Sequence, residues 1–140
     1  MFKKLAPNQQ NTEQPVTEQK KILIVDDCLE NADSFKDALE LFGHQAQCVY
    51  DWEKVQSLLS AEQFEIVFMD INLNNMSGIT LLEKIKSSLL NQNTQTKYVA
   101  VSGYSVHDPV GNEAAKHFDF YLQKPINLEN LETLLASIDS

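Results

Sequence analysis

The chain has 140 residues, of which 43% are hydrophobic and 22% are charged, as in an ordinary globular domain. Eleven basic and twenty acidic residues give a formal net charge of −9, which argues against binding to nucleic acid or to anionic membranes through a basic surface. The longest apolar runs have four residues, too few to span a membrane. Cys28 and Cys48 form no C-x-x-C motif and suit a reducing cytoplasm.

Residues 1–20 are rich in Gln, Asn, Thr and Pro and lack an apolar period. We interpret them as a flexible polar leader that precedes a folded domain over residues 21–140. Within that domain, apolar runs typical of buried strands cover residues 21–25, 46–50, 65–69, 97–101 and 119–122. Apolar residues at helical spacing alternate with these runs and predict helices over residues 32–42, 52–59, 79–85, 109–116 and 128–138.

This alternation predicts an α/β fold in which a five-stranded parallel sheet carries helices on both faces. In such sheets ligands bind beyond the carboxyl ends of the strands. The polar residues at those ends are Asp26, Asp27, Asp70, Ser102 and Lys124. An acid after a strand can simply cap the next helix, as Asp27 could. Five such residues in order at four strand ends favour a functional site.

The charges of these residues indicate the chemistry of the site. Three carboxylates at one edge repel one another unless cations neutralise them. Lys124 supplies one positive charge, and a ligand set made only of oxygen favours a hard cation, Mg²⁺ or Mn²⁺. A metal ion, a lysine and the Ser102 hydroxyl are suited to phosphoryl transfer, with Asp70 as the nucleophile.

From Lys21 onward the chain resembles the receiver domain of two-component response regulators, the CheY-like family. The matching segments are Ile-Leu-Ile-Val-Asp-Asp over residues 22–27, Val-Phe-Met-Asp-Ile-Asn-Leu-Asn-Asn-Met-Ser-Gly over 67–78, Val-Ser-Gly over 101–103 and Tyr-Leu-Gln-Lys-Pro over 121–125. The resemblance implies the flavodoxin-like (βα)5 fold. It also implies a signalling switch that receives a phosphoryl group from a phosphohistidine, on a histidine kinase or a histidine phosphotransfer protein.

The resemblance assigns a role to each residue of the expected site. Asp70 is the phosphoacceptor and, with Asp26, Asp27 and the backbone carbonyl of Asn72, holds the metal ion. Lys124 forms a salt bridge with the phosphoryl group and precedes a cis bond to Pro125.

Two further residues are assigned to switching and a third to the lifetime of the phosphorylated state. The Ser102 hydroxyl moves toward the phosphoryl group, and the Tyr121 ring follows this movement as the aromatic switch. Tyr104, two residues beyond Ser102, flanks the phosphoryl group and is expected to modulate its lifetime.

The resemblance also places a partner surface on the fourth helix, the fifth strand and the fifth helix. There a downstream protein docks, and a second copy of the chain can pair upon phosphorylation. Alternation along a strand predicts that Phe118, Phe120 and Leu122 share one face, with Asp119 and Tyr121 on the other. Phe120 is interpreted either as a core residue or as a partly exposed anchor for the partner.

Two other functions stay open at this point. An inert pseudo-receiver would use the same fold only to bind partners. An aspartate-nucleophile phosphatase would need a second acid two residues after the nucleophile, where this chain has Asn72. We expect no turnover of a separate substrate, and we expect the chain either to act alone or to be part of a hybrid histidine kinase.

Overall fold

The computed structural model describes residues 19–73, 76–88 and 95–139; most of the predicted leader therefore lies outside the described residues. Strands and helices alternate along the chain, and their order is β1 (Lys21–Val25), α1 (Leu29–Leu41), β2 (Gln45–Val49), α2 (Trp52–Ala61), β3 (Ile66–Asp70), α3 (Gly78–Ser88), β4 (Lys97–Ser102), α4 (Pro109–His117), β5 (Phe120–Gln123) and α5 (Leu128–Asp139). Among the described residues, no helix is long and apolar enough to cross a membrane.

The five strands form one parallel sheet in the order β2-β1-β3-β4-β5, which confirms the predicted fold class. The central strands β1 and β3 are buried along most of their length because helices cover both faces of the sheet. Parallel strands direct their carboxyl ends to the same edge, so Val25, Asp70, Ser102 and Gln123 end their strands together.

Two apolar clusters, one on each face of the sheet, attach the helices. Residues of α2, α3 and α4 pack on one face, among them Val55, Leu82 and Ala114. Residues of α1 and α5 pack on the other face, and the ring centroids of Phe35 and Phe68 lie 4.7 Å apart there. The helical spacing of apolar residues in the sequence thus corresponds to buried helix faces.

The helix boundaries follow from local signals that the sequence carries. Helix α1 is followed by Gly43, whose φ of 94° is accessible to glycine at little cost. Helix α2 begins after Asp51, whose carboxylate accepts a hydrogen bond of 2.8 Å from the backbone N–H of Lys54. Helix α4 begins at Pro109, where a missing N–H costs no hydrogen bond.

The structure corrects the predicted environment of the segment from Phe118 to Leu122. Strand β5 begins at Phe120, one residue later than predicted, and Phe118 is the C-cap of α4. Phe118 packs in the cluster on the α2–α4 face, whereas Phe120 and Leu122 lie with the cluster on the α1–α5 face. Strand alternation therefore does not apply to Phe118. The partly buried Phe120 contacts core residues, which supports its interpretation as a core residue.

Candidate functional site

Three carboxylates meet at the carboxyl end of the sheet. Asp26 and Asp27 directly follow β1, and Asp70 is the last residue of the neighbouring strand β3. One carboxylate oxygen from each residue lies within 4.8 Å of those of the other two. Asp26 and Asp70 are buried, and Asp27 is partly exposed. The structure therefore brings together the three acids that the sequence predicted as one cluster.

Backbone amide groups orient two of these carboxylates. The N–H of Cys28 donates to Oδ1 of Asp26 over 2.9 Å, and the N–H of Asn72 donates to Oδ1 of Asp70 over 2.9 Å. Sequence reasoning missed both donors, although an aspartate that accepts from the amide two residues later is a common turn. Asn72 thus contacts Asp70 through its backbone N–H, and the metal-binding role of its carbonyl stays a prediction.

The environment of Asp26 disfavours its negative charge. Burial raises the pKa of Asp26 above its ordinary value, and the nearby charges of Asp70 and Asp27 raise it further. The hydrogen bond from Cys28 and the charge of Lys124 act in the opposite direction but do not reverse the shift. Desolvation is therefore the main reason that the charged form of Asp26 is disfavoured.

Lys124 connects the end of β5 to the acid cluster. Its Nζ lies 3.0 Å from Oδ2 of Asp70, so the two oxygens of Asp70 are held by different donors. Its backbone N–H donates to the carbonyl of Ser102 over 2.7 Å, which fixes the ends of β4 and β5 to each other. The peptide bond between Lys124 and Pro125 is cis, as predicted.

A hydrogen-bonded chain beside the acids joins the two predicted switch residues, Ser102 and Tyr121, through Tyr104, the predicted modulator of the phosphoryl lifetime. The fully buried hydroxyl of Ser102 accepts a hydrogen bond of 3.0 Å from the N–H of Tyr104. The carbonyl of Tyr104 accepts one of 2.6 Å from the hydroxyl of Tyr121. The side chain of Tyr104 is 41% exposed. Ser102 and Tyr121 are therefore linked through the backbone of Tyr104.

A groove of about 550 Å³ opens on the other side of the site. It runs between α1 and the segment that joins β5 to α5, and Asp26 and Lys124 line its inner end. Its remaining lining residues are mostly apolar or small: Asn31, Ser34, Phe35, Ala38, Pro125, Ile126 and Leu128. Sequence reasoning missed this groove because no motif marks it.

The chain is similar in sequence to a known protein family and to a regulatory protein of known name. The family model for the response regulator receiver domain matches residues 22–136. The transcriptional regulatory protein CrdR of Helicobacter pylori is 26% identical over 114 residues, which are 81% of this chain and 52% of CrdR. The chain therefore spans about half the length of that relative.

Solved receiver domains share the fold. The CheY-like receiver domain from Methylobacillus flagellatus is 38% identical, with a TM-score of 0.76, and the match covers 86% of this chain and 99% of that one. The receiver domain of the sensor histidine kinase PA1611 of Pseudomonas aeruginosa, solved with magnesium in its active-site cleft, is 18% identical, with a TM-score of 0.75. That match covers 88% of this chain and 100% of that one and shows the fold alone. The chain therefore belongs to the response regulator receiver domain family, whose members are signalling switches rather than metabolic enzymes.

Proposed function

We propose that this receiver domain is a phosphoacceptor switch that takes a phosphoryl group from a phosphohistidine onto Asp70. The observation that carries the proposal is the placement of the Asp70 carboxylate, which lies 3.0 Å from the ammonium group of Lys124 and in one cluster with the carboxylates of Asp26 and Asp27. In the transfer, an oxygen of Asp70 forms a bond to phosphorus as the bond from the histidine nitrogen to phosphorus breaks. The product is an acyl phosphate.

The acid cluster fits a magnesium ion. Its donors are carboxylate oxygens, which hard divalent cations prefer, and a bound cation would favour the charged form of Asp26, which burial disfavours. Asp26, Asp27, Asp70 and the carbonyl of Asn72 would hold the ion. When bound, it would neutralise charge on the phosphoryl oxygens. The magnesium in the PA1611 receiver domain supports this assignment.

The other residues of the site stabilise the phosphorylated state. Lys124 already contacts Asp70, and its ammonium group is expected to pair with a phosphoryl oxygen instead of the carboxylate. The hydroxyl of Ser102 leaves the Tyr104 amide and donates to another phosphoryl oxygen. This movement breaks the link to Tyr121, whose ring then changes position. Tyr104 shields the phosphoryl group from water.

The groove beside the site gives the phosphodonor a place to dock. Its inner end reaches Asp26 and Lys124, and its apolar walls could bury a helix that presents the phosphohistidine. The exposed surface of α1 next to the groove carries Glu30, Asp33 and Asp37. A donor with basic residues around an apolar contact would complement this surface.

The readout of phosphorylation is assigned to α4, β5 and α5, where Tyr121 lies. A downstream protein, or a second copy of the chain, would bind there when the Tyr121 ring has moved. A cytoplasmic location and the absence of nucleic-acid and membrane partners stay predictions from composition and charge.

Incubation with acetyl phosphate or with a chromogenic phosphate ester, each with Mg²⁺, separates the candidate activities. A receiver gains one phosphoryl group from acetyl phosphate and does not turn over the ester. A phosphatase turns over the ester, and a pseudo-receiver does neither. Either of the last two results would refute the proposal.

A further inference from the structure

Helix α4 lies unusually close to the loop that precedes it, at Gly111. A Cβ atom added to Gly111 would overlap the carbonyl oxygen of Ser105 and lie 2.9 Å from the hydroxyl of Tyr121. Glycine is a poorer helix former than alanine, so its place in the first turns of α4 is unfavourable for the helix alone. The close contact explains why a side chain is not accommodated there.

The loop cannot easily give way at this point, because Ser105 is fixed to the start of α4. The carbonyl of Ser105 accepts a hydrogen bond of 3.0 Å from the N–H of Asp108. The N–H of Ser105 in turn donates to the carboxylate of Asp108 over 3.2 Å. A side chain at position 111 would therefore have to displace backbone atoms held by two hydrogen bonds.

The same loop holds the hydroxyl of Ser102. Tyr104, directly before Ser105, donates its N–H to Ser102 and accepts the hydroxyl of Tyr121. The position of Ser105 thus determines whether Tyr104 can make both hydrogen bonds. A side chain at position 111 would meet this arrangement at both ends, at Ser105 and at Tyr121.

We propose that Gly111 is a positioning residue, which holds the loop between β4 and α4 where Tyr104 can bind Ser102 and Tyr121 at once. The inference deepens the proposed function and rests on it for its consequence in signalling. By keeping the Ser102 hydroxyl on the Tyr104 amide, Gly111 sets the resting state of the switch. Gly111→Ala would push Ser105 and Tyr121 away and release Ser102 without phosphorylation.

Amide hydrogen exchange of the unphosphorylated protein tests the structural part directly. In Gly111→Ala, the amide of Tyr104 should exchange about three- to tenfold faster, the factor for one net hydrogen bond. Tyr121→Phe should have a similar effect, because it removes the hydroxyl that binds the Tyr104 carbonyl. The Tyr104 amide of the double variant should exchange no faster than that of either single variant, because both substitutions act on the same pair of hydrogen bonds at Tyr104. Gly103→Ala is the matched control, because a Cβ there meets no atom within 4 Å.

A second measurement distinguishes positioning from a general loss of structure. Gly111→Ala should change the rate of phosphorylation by acetyl phosphate while the dissociation constant for Mg²⁺ stays as in the wild type, since the acid cluster lies on other strands. An unchanged Tyr104 exchange rate in Tyr121→Phe, additive effects in the double variant or a parallel loss of Mg²⁺ affinity would each overturn the inference. If Gly111→Ala does not fold, the Tyr121→Phe result decides. Because the exchange measurement needs no phosphorylation, its failure is distinct from failure of the wild type to accept a phosphoryl group.

Discussion

The ammonium nitrogen of Lys124 lies 3.0 Å from a carboxylate oxygen of Asp70, 54 residues earlier in the chain. The ends of β5 and β3 bring the two residues together, although β4 lies between these strands. Asp26 and Asp27 lie in the same cluster, so Lys124 contacts one of three neighbouring carboxylates. A divalent cation bound at this edge of the sheet would reduce the repulsion among them.

Magnesium is expected to stabilise the folded protein, because the folded site binds the ion and the unfolded chain does not. At an ion concentration ten times the dissociation constant, the free energy of unfolding should rise by about 1.4 kcal/mol. Thermal unfolding with and without millimolar Mg²⁺ measures this effect.

The variant Asp26→Asn should lose the response of the melting temperature to Mg²⁺. Without metal, its melting temperature should rise by about 2 to 5 °C, because the amide removes a charge that burial disfavours. An equal response in both proteins would contradict the assignment of Asp26.

The sequence was sufficient to predict the ten elements and to bring out the polar residues at the strand ends as a candidate site, because both leave local signals. Asn72, Tyr104 and Tyr121 were assigned by the family resemblance, and the roles of all eight candidate residues stay predictions. Buried strands such as β3 are continuous apolar runs, and polar residues at their ends stand out. Strands β2, β3 and β5 were displaced by one residue and β4 ends one residue later than predicted, because the residue type at a strand end does not reveal whether its backbone pairs. Tyr50, for instance, lies outside β2 and is 58% exposed.

Features that depend on how segments pack in the folded protein could not be predicted. The groove beside Lys124 is formed by α1 and the chain after β5, which meet only in the folded protein. The close approach of Gly111 to Ser105 depends on the packing of α4 against its loop. Phe118 was misplaced for the same reason, because only the end of α4 decides where β5 begins.

Replacing Tyr98 by phenylalanine should stabilise the protein. Its buried hydroxyl has no hydrogen-bond partner in the part of the chain that the structure describes, and such a group typically costs about 1 kcal/mol or more. Burial also raises the pKa of Tyr98 to about 12. Because folding raises this pKa, the unfolded chain loses the phenol proton more readily than the folded protein does. The folded wild type therefore keeps its full stability below the ordinary pKa near 10 and loses stability as the pH rises toward 12. Urea unfolding should therefore show a Tyr98→Phe advantage that grows above pH 10; a less stable variant at pH 7 would show that the hydroxyl has a partner.

A substitution at the groove should impair docking of the phosphodonor without affecting the phosphorylation reaction itself. Leu128 is 50% exposed at the groove, so Leu128→Glu should leave the fold intact. It should slow phosphotransfer from a histidine kinase that phosphorylates the wild-type chain by about tenfold, or 1.4 kcal/mol, and leave phosphorylation by acetyl phosphate unchanged. Leu41→Glu is the matched control, since Leu41 lies at the end of α1, is 73% exposed and does not line the groove. Equal rates for both variants would argue against docking at the groove.

The ring of Tyr104 is expected to prolong the lifetime of the phosphorylated state. Its side chain is partly exposed two residues after Ser102, and a ring in this position can obstruct the attacking water. Tyr104→Ala should lose the phosphoryl group roughly threefold faster, which corresponds to about 0.7 kcal/mol. Tyr104→Phe, which keeps the ring, should behave as the wild type does. A phosphoryl half-life in Tyr104→Ala equal to or longer than that of the wild type would show that the ring lies in solvent.

The central claim is that Asp70 accepts a phosphoryl group, and intact-mass measurement after incubation with acetyl phosphate and Mg²⁺ tests it most directly. The wild type should gain the mass of one phosphoryl group, and the gain should require Mg²⁺. Asp70→Asn should gain none, because an amide is a poor nucleophile, and its melting temperature should stay close to that of the wild type because the amide is nearly isosteric. A gain by Asp70→Asn at the wild-type rate, or no gain by the wild type, would contradict this account.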